Sequence, residues 1–128
     1  MCIRDRGAVL GLDVHLVLSG DRPHEAVGNQ LLSMLFGAQL HFTGAADSHW
    51  GELEIAREAL VDQLAADGAS VYPIPIGGST PVGALGYLVA FDEIMFQCRE
   101  SGIEPAAIVH TSSSGGTHAG LLLSLIHI

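Results

Sequence analysis

Ala106-Ala-Ile-Val-His-Thr-Ser-Ser-Ser-Gly-Gly-Thr-His-Ala-Gly120 is the stretch on which the fold turns. Its first five residues have the composition of a short buried strand, and they run directly into a loop of glycines and hydroxyl side chains that leads to Leu121-Leu-Leu123. A strand that empties into such a loop and then into a helix is an α/β signature. The loop offers backbone N–H groups with no side chains in the way, and the helix it opens adds a partial positive charge, so an anion such as a phosphate fits there.

Upstream, the same alternation recurs. Gly7–Leu12 reads as the end of a helix closing near Gly11, and Val14–Leu18 as a strand. Asn29 is placed to cap a short helix over Gln30–Phe36, with Gly37 where a left-handed C-terminal residue is wanted, and Ala38–Phe42 follows as a second strand. Thr43–Ser48 forms a polar turn. Trp50, Leu53, Ala56, Leu60 and Leu64 recur at helical intervals and predict one helix ending near Gly68, with Glu52–Asp62 charges on its wet face. Val71–Ile76 reads as a third extended segment, which Pro73 and Pro75 confine to an edge or a strand end. Gly77–Thr80 is a loop, Pro81 opens a long helix to about Glu100 with Ser79 or Thr80 as its cap, and Ala106–His110 is the fourth strand. The expected fold class is therefore α/β, a parallel sheet with helices on both faces. Ligands of such sheets sit beyond the carboxyl ends of the strands, where both the 77–80 and 111–117 loops leave.

Composition narrows the function. The chain has 128 residues, is 48% hydrophobic and carries a formal charge of −9. Its five cationic side chains are all arginines, and it contains no lysine. Clustered cations for nucleic acid are missing, and no apolar run approaches the roughly 20 residues that span a bilayer. A cytoplasmic protein without nucleic-acid or membrane partners is expected, with Cys2 and Cys98 as reduced thiols. Met1–Arg6 and Leu123–Ile128 do not continue the local pattern and are expected to be non-native ends of a gene fragment.

Seven histidines invite a metal reading. No pair has the i, i+4 spacing with a neighbouring carboxylate that zinc sites use, so structural or solvent-facing roles are expected and no metal site is assigned. His118, in the first turn after the loop, could assist at an anion. Ser112–Ser114 lack a nucleophile elbow and read as loop hydrogen-bonding groups. Tyr87 and Cys98 read as packing residues on the long helix.

Gly77-Gly-Ser-Thr-Pro-Val-Gly-Ala-Leu-Gly-Tyr87, Ser114-Gly-Gly-Thr-His-Ala-Gly120 and Gly28-Asn-Gln-Leu-Leu-Ser-Met-Leu-Phe-Gly-Ala38 together closely resemble the D-cysteine desulfhydrase and 1-aminocyclopropane-1-carboxylate deaminase family. The resemblance covers nearly everything between Gly7 and Leu122. It implies a fragment of a two-domain, tryptophan-synthase-β-like fold that uses pyridoxal 5′-phosphate, with residues 7–101 as most of the smaller domain and 103–122 as the start of the larger one. It implies that Ser114, Gly115, Gly116 and Thr117 hold the cofactor phosphate, with Ser79 and Thr80 on the substrate side. The substrate would be a small amino acid and the parent a homodimer. Gly77-Gly78 and Thr117-His118-Ala119 look more like the desulfhydrase branch, although Thr80 stands where that branch carries Asn. The family's chemistry starts from a cofactor-bearing lysine. None is present in this chain, so the fragment by itself is expected to be inert. The alternative left open is a noncatalytic phosphate- or nucleotide-binding α/β module that uses the same Ser114–Thr117 loop.

Overall fold

Two parallel strands and five α-helices make up the computed structural model, which describes residues 3–44 and 49–127. Met1, Cys2, Ile128 and residues 45–48 of the expected polar turn lie outside the described residues. The chain divides into two compact units, the first ending at Pro73 and the second beginning at Ile74.

In the first unit, α1 (Ile3–Leu10) ends at Gly11, whose φ of +67° suits a residue without a Cβ. Residues 3–6, set aside on sequence grounds, are thus part of this helix. Arg4 ties it to α2 (Gly28–Leu35) by donating from Nη1 to the Asn29 carbonyl at 3.1 Å and to Ser33 Oγ at 3.2 Å. Asn29 is therefore not the cap expected of it. It lies inside α2, Val27 takes the N-cap position without a side-chain bond, and the Asn29 carbonyl also accepts from the buried Ser33 hydroxyl at 2.8 Å. At the other end the reading holds. Gly37 adopts φ +81°, its N–H reaches the Met34 carbonyl, and the Ala38 N–H reaches that of Ser33, both at 2.9 Å.

This turn delivers the chain into β2 (Gln39–Phe42), which pairs in parallel with β1 (His15–Leu18), His15 opposite Gln39 and Val17 opposite His41. Val14 and Ala38, one residue before each strand, are buried. Contact is close enough at Val14 that a Cβ on Gly7 would overlap its methyl group. On one face of the pair His15 and His41 stack, with ring centroids 5.2 Å apart and Nδ1 of His15 3.0 Å from Nε2 of His41. Burial, His15 and then Arg22 all push the His41 imidazole below its ordinary pKa. Helix α3 (Trp50–Ala66) begins where the Glu52 carboxylate accepts the His49 N–H at 3.2 Å. It ends at Asp67 and Gly68, the latter at φ +89°.

Two of the four expected strands form no ladder. Residues 71–75 form no ladder and pass into a 3-10 turn, Ile76–Gly78, since Pro73 and Pro75 have no N–H to give a neighbour. Ala106–His110 is likewise unpaired, and Val109 is 94% exposed. An apolar run becomes a strand only when a neighbour supplies the other half of each hydrogen bond, and the described sheet contains β1 and β2 alone.

The second unit is built on two helices, α4 (Pro81–Glu100) and α5 (Gly116–His127). Phe91 and Leu121 are its buried apolar residues. The helices meet at Gly120, where a Cβ would run into the Ala84 carbonyl oxygen and Tyr87 Cβ. Buried Ser124 returns its hydroxyl to the Gly120 carbonyl at 2.9 Å. Helix α5 runs on through residues 123–127, the second segment set aside on sequence grounds. No helix among the described residues is long and apolar enough to cross a membrane.

Candidate functional site

The N-terminus of α4 is made by local chemistry. Thr80 is extended at φ −122°, its Oγ1 accepts the Gly83 N–H at 2.9 Å, and Pro81 occupies the first helical position, where a missing N–H costs nothing. Of the two candidate caps, Thr80 is the one used. Of the two residues assigned to the substrate side, it is Ser79 that meets the second loop.

The N-terminus of α5 is built differently. Gly115, at φ +85°, places its carbonyl to accept the Ala119 N–H at 2.9 Å and so acts as the N-cap without a capping side chain. The N–H groups of Gly116, Thr117 and His118 then have no acceptor within the helix. Among the described residues none of these three, nor Gly115, donates to a backbone carbonyl outside it. Gly115, Gly116 and Thr117 are half-buried. A half-buried row of N–H groups at a positive helix end is the chemical requirement for holding an anion.

The structure brings the two glycine loops together. Ser79 Oγ donates to Ser114 Oγ at 2.6 Å, across 35 residues of sequence. Each serine also sits where the other loop has a glycine. A Cβ on Gly77 would collide with Ser114 Oγ, and a Cβ on Gly116 would lie 2.8 Å from Ser79 Oγ. Gly77 also holds φ +75°, which a side chain would strain. The 77–80 and 114–117 segments therefore interlock through reciprocal Gly–Ser contacts. This hydrogen bond fixes the rotamers of both hydroxyls.

Two further features were not anticipated. Gly116 and Gly120 lie one helical turn apart and both accept close approach from the 79–87 region, a spacing that the sequence displays. The two histidines flanking the loop touch, with His110 Nε2 3.3 Å from His118 Nδ1 and ring centroids 5.4 Å apart. Among the described residues, no group of three or more His, Cys, Asp or Glu side chains is arranged to hold a metal ion.

Comparison with known proteins supplies an independent line. The model of the family described as pyridoxal-phosphate dependent enzyme matches residues 6–127. A Pyrococcus abyssi protein that carries the provisional name 1-aminocyclopropane-1-carboxylate deaminase is 38% identical over 114 residues, covering 89% of this chain and 33% of its own length. Proteins of the same provisional name from Pyrococcus furiosus and Pyrococcus horikoshii are each 41% identical over 116 residues, covering 91% of this chain and 34% of their own. The chain thus spans about a third of the length of the curated relatives it matches.

Proposed function

The chain belongs to the pyridoxal-phosphate dependent enzyme family, and from that premise we propose that Ser114, Gly115, Gly116 and Thr117 hold the phosphate of pyridoxal 5′-phosphate in a lyase or deaminase acting on a small amino acid. The observation that carries this reading is the row of N–H groups at Gly115–His118 without backbone acceptors, braced by the Ser79–Ser114 hydrogen bond. The residues present fit the group. Glycines at 115 and 116 leave the amides open, a Cβ at 116 would press on Ser79, and the dipole of α5 adds to the attraction.

Bound pyridoxal phosphate supplies an electron sink for negative charge developing at the substrate carbon. The work of this chain's own residues is binding and orientation. Main-chain N–H groups of Gly115–Thr117 and the Ser114 hydroxyl receive the phosphate oxygens, and Ser79 fixes the Ser114 rotamer. No lysine is available in these 128 residues to carry the cofactor covalently, so the chain alone binds the phosphate without turning over substrate. On this reading residues 7–101 belong to the smaller domain of the family's fold and 103–122 enter the larger. The compact units seen here divide within that smaller domain, at Pro73 and Ile74.

For the substrate, Gly77-Gly78 and Thr117-His118-Ala119 favour D-cysteine, with pyruvate, sulfide and ammonia as products, in a cytoplasmic homodimer. The names of the Pyrococcus relatives favour the second reading, deamination of 1-aminocyclopropane-1-carboxylate. Both are tested by supplying each amino acid to a longer protein that contains this segment and a family lysine. Sulfide release from D-cysteine supports the first, ammonia and a ketoacid from the cyclopropane substrate support the second, and turnover of neither refutes both.

A further inference from the structure

The loop between Thr111 and Thr117 has no permanent cation in its own unit close enough to balance a bound dianion. Arg99 is the only arginine in that unit and sits eighteen residues after Pro81 along α4, about 27 Å of helix from the end that faces the loop. What flanks the loop instead is the His110–His118 contact, and its protons can be placed. His110 Nδ1 lies 3.0 Å from the Thr111 carbonyl oxygen, which can only accept, so Nδ1 carries the hydrogen. Neutral His110 then has a lone pair on Nε2, and His118 Nδ1, 3.3 Å away, must be the donor to it. That leaves His118 Nε2 as the one ring nitrogen of the pair with no partner among the described residues, on an exposed side chain in the first turn of α5.

We propose that Thr111, His110 and His118 form a fixed-tautomer relay that supplies the missing charge, so that an anion bound by the Gly115–His118 amides is accompanied by one proton taken up at His118 Nε2. This inference rests on the anion reading of the loop. A first proton adds to His118 Nε2 without disturbing either hydrogen bond. A second would have to occupy His110 Nε2 and face the His118 N–H, which breaks the pair. The relay therefore takes one proton more readily than a second. Among the described residues no other titratable side chain lines the cleft in which the rings lie. Its walls are Phe91 and Met95 of α4, Pro105 to Ile108, and Leu121, Leu122 and Leu125 of α5. Among the described side chains, the titratable groups Tyr87, Asp92, Glu93, Cys98, Arg99 and Glu100 of α4 and Glu104 before Pro105 lie outside that cleft.

Sulfate is the probe, because its charge does not change between pH 5.5 and 8 and any pH dependence belongs to the protein. Two measurements are made on the 128-residue chain. Long-range proton–nitrogen spectra at pH 8 are expected to show hydrogen on Nδ1 of both His110 and His118, and hydrogen on Nε2 of His118 overturns the relay. Sulfate titrations followed at the Gly115–His118 amides are expected to be about three-fold or more tighter at pH 5.5 than at pH 8, with the difference lost in His118→Gln. Equal affinity at both pH values overturns the inference and leaves the anion reading standing. No amide response at either pH overturns the anion reading and this inference with it. His110→Phe, which leaves the His118 ring in place, separates relay from simple charge: it is expected to let His118 populate both neutral tautomers.

Discussion

Replacing Gly116 by alanine tests whether the two glycine loops depend on each other as the coordinates require. The added Cβ lies 2.8 Å from Ser79 Oγ, 3.4 Å from Ser79 Cα and 3.5 Å from Ser79 Cβ. The last two distances are tolerable, so the conflict is with one hydroxyl oxygen. Ser79 relieves it by rotating, which forfeits its 2.6 Å bond to Ser114, or stays and forces the loops apart. A lost hydrogen bond costs about 0.5–1.5 kcal/mol and overpacking about 1–3, while alanine for glycine at a helix start returns less than about 1. The expected net loss is about 1–2 kcal/mol of stability. Ser79→Ala removes the clashing atom together with the bond, so in the double variant most of the Gly116→Ala penalty disappears. A urea-denaturation cycle over the four proteins is expected to give a coupling of about 1 kcal/mol in the rescuing direction. If the two single effects add to within about 0.5 kcal/mol, the loops do not interlock and the argument for a shared site fails.

Other consequences follow from single contacts. Gly120→Ala places a methyl group against the Ala84 carbonyl and Tyr87 Cβ, neither of which is a flexible chain end, and is expected to cost about 1–3 kcal/mol in thermal or urea denaturation despite its better helix propensity. Thr80→Ala removes the acceptor of the Gly83 N–H and is expected to cost about 1 kcal/mol, with Thr80→Ser restoring most of it. The His41 imidazole has a folded-state pKa below its unfolded value, through burial first and then His15 and Arg22. A depressed histidine contributes stability that is present above about pH 6.5 and is lost as the pH falls toward the folded-state pKa. The urea midpoint is therefore expected to drop between pH 7 and pH 5, and less so in His41→Gln, whereas identical slopes for the two proteins would contradict this assignment.

Local chemistry decided how much of this was legible in the sequence. Helix ends could be read because their causes are adjacent in the chain: Gly37 and Gly68 at positive φ, and Thr80 with Pro81 at the start of α4. The strands at 15–18 and 39–42 could be read because the helix between them lets each supply the other's partners. The apolar runs at 71–76 and 106–110 form no ladder: Pro73 and Pro75 withhold N–H groups in the first, and in the second pairing depends on a neighbour that composition does not reveal. Asn29 lies inside α2 and not at its cap because a good capping residue also serves inside a helix when Arg4, on another element, engages it. At the site, the 114–117 loop and its helix were evident from glycine and hydroxyl content. The Ser79–Ser114 bond and the His110–His118 contact were not, because each depends on where two loops meet in space.

The central claim is that main-chain N–H groups of residues 115–118 receive a phosphate. It is tested most directly by titrating the isotopically labelled chain with pyridoxal 5′-phosphate and following every backbone amide. The account predicts saturable shifts concentrated at Gly115, Gly116, Thr117 and His118, reproduced by inorganic phosphate and accompanied by no visible absorbance of a lysine-linked cofactor, since the chain contains no lysine. Shifts confined to other regions, or none at these four amides up to millimolar ligand, would contradict it.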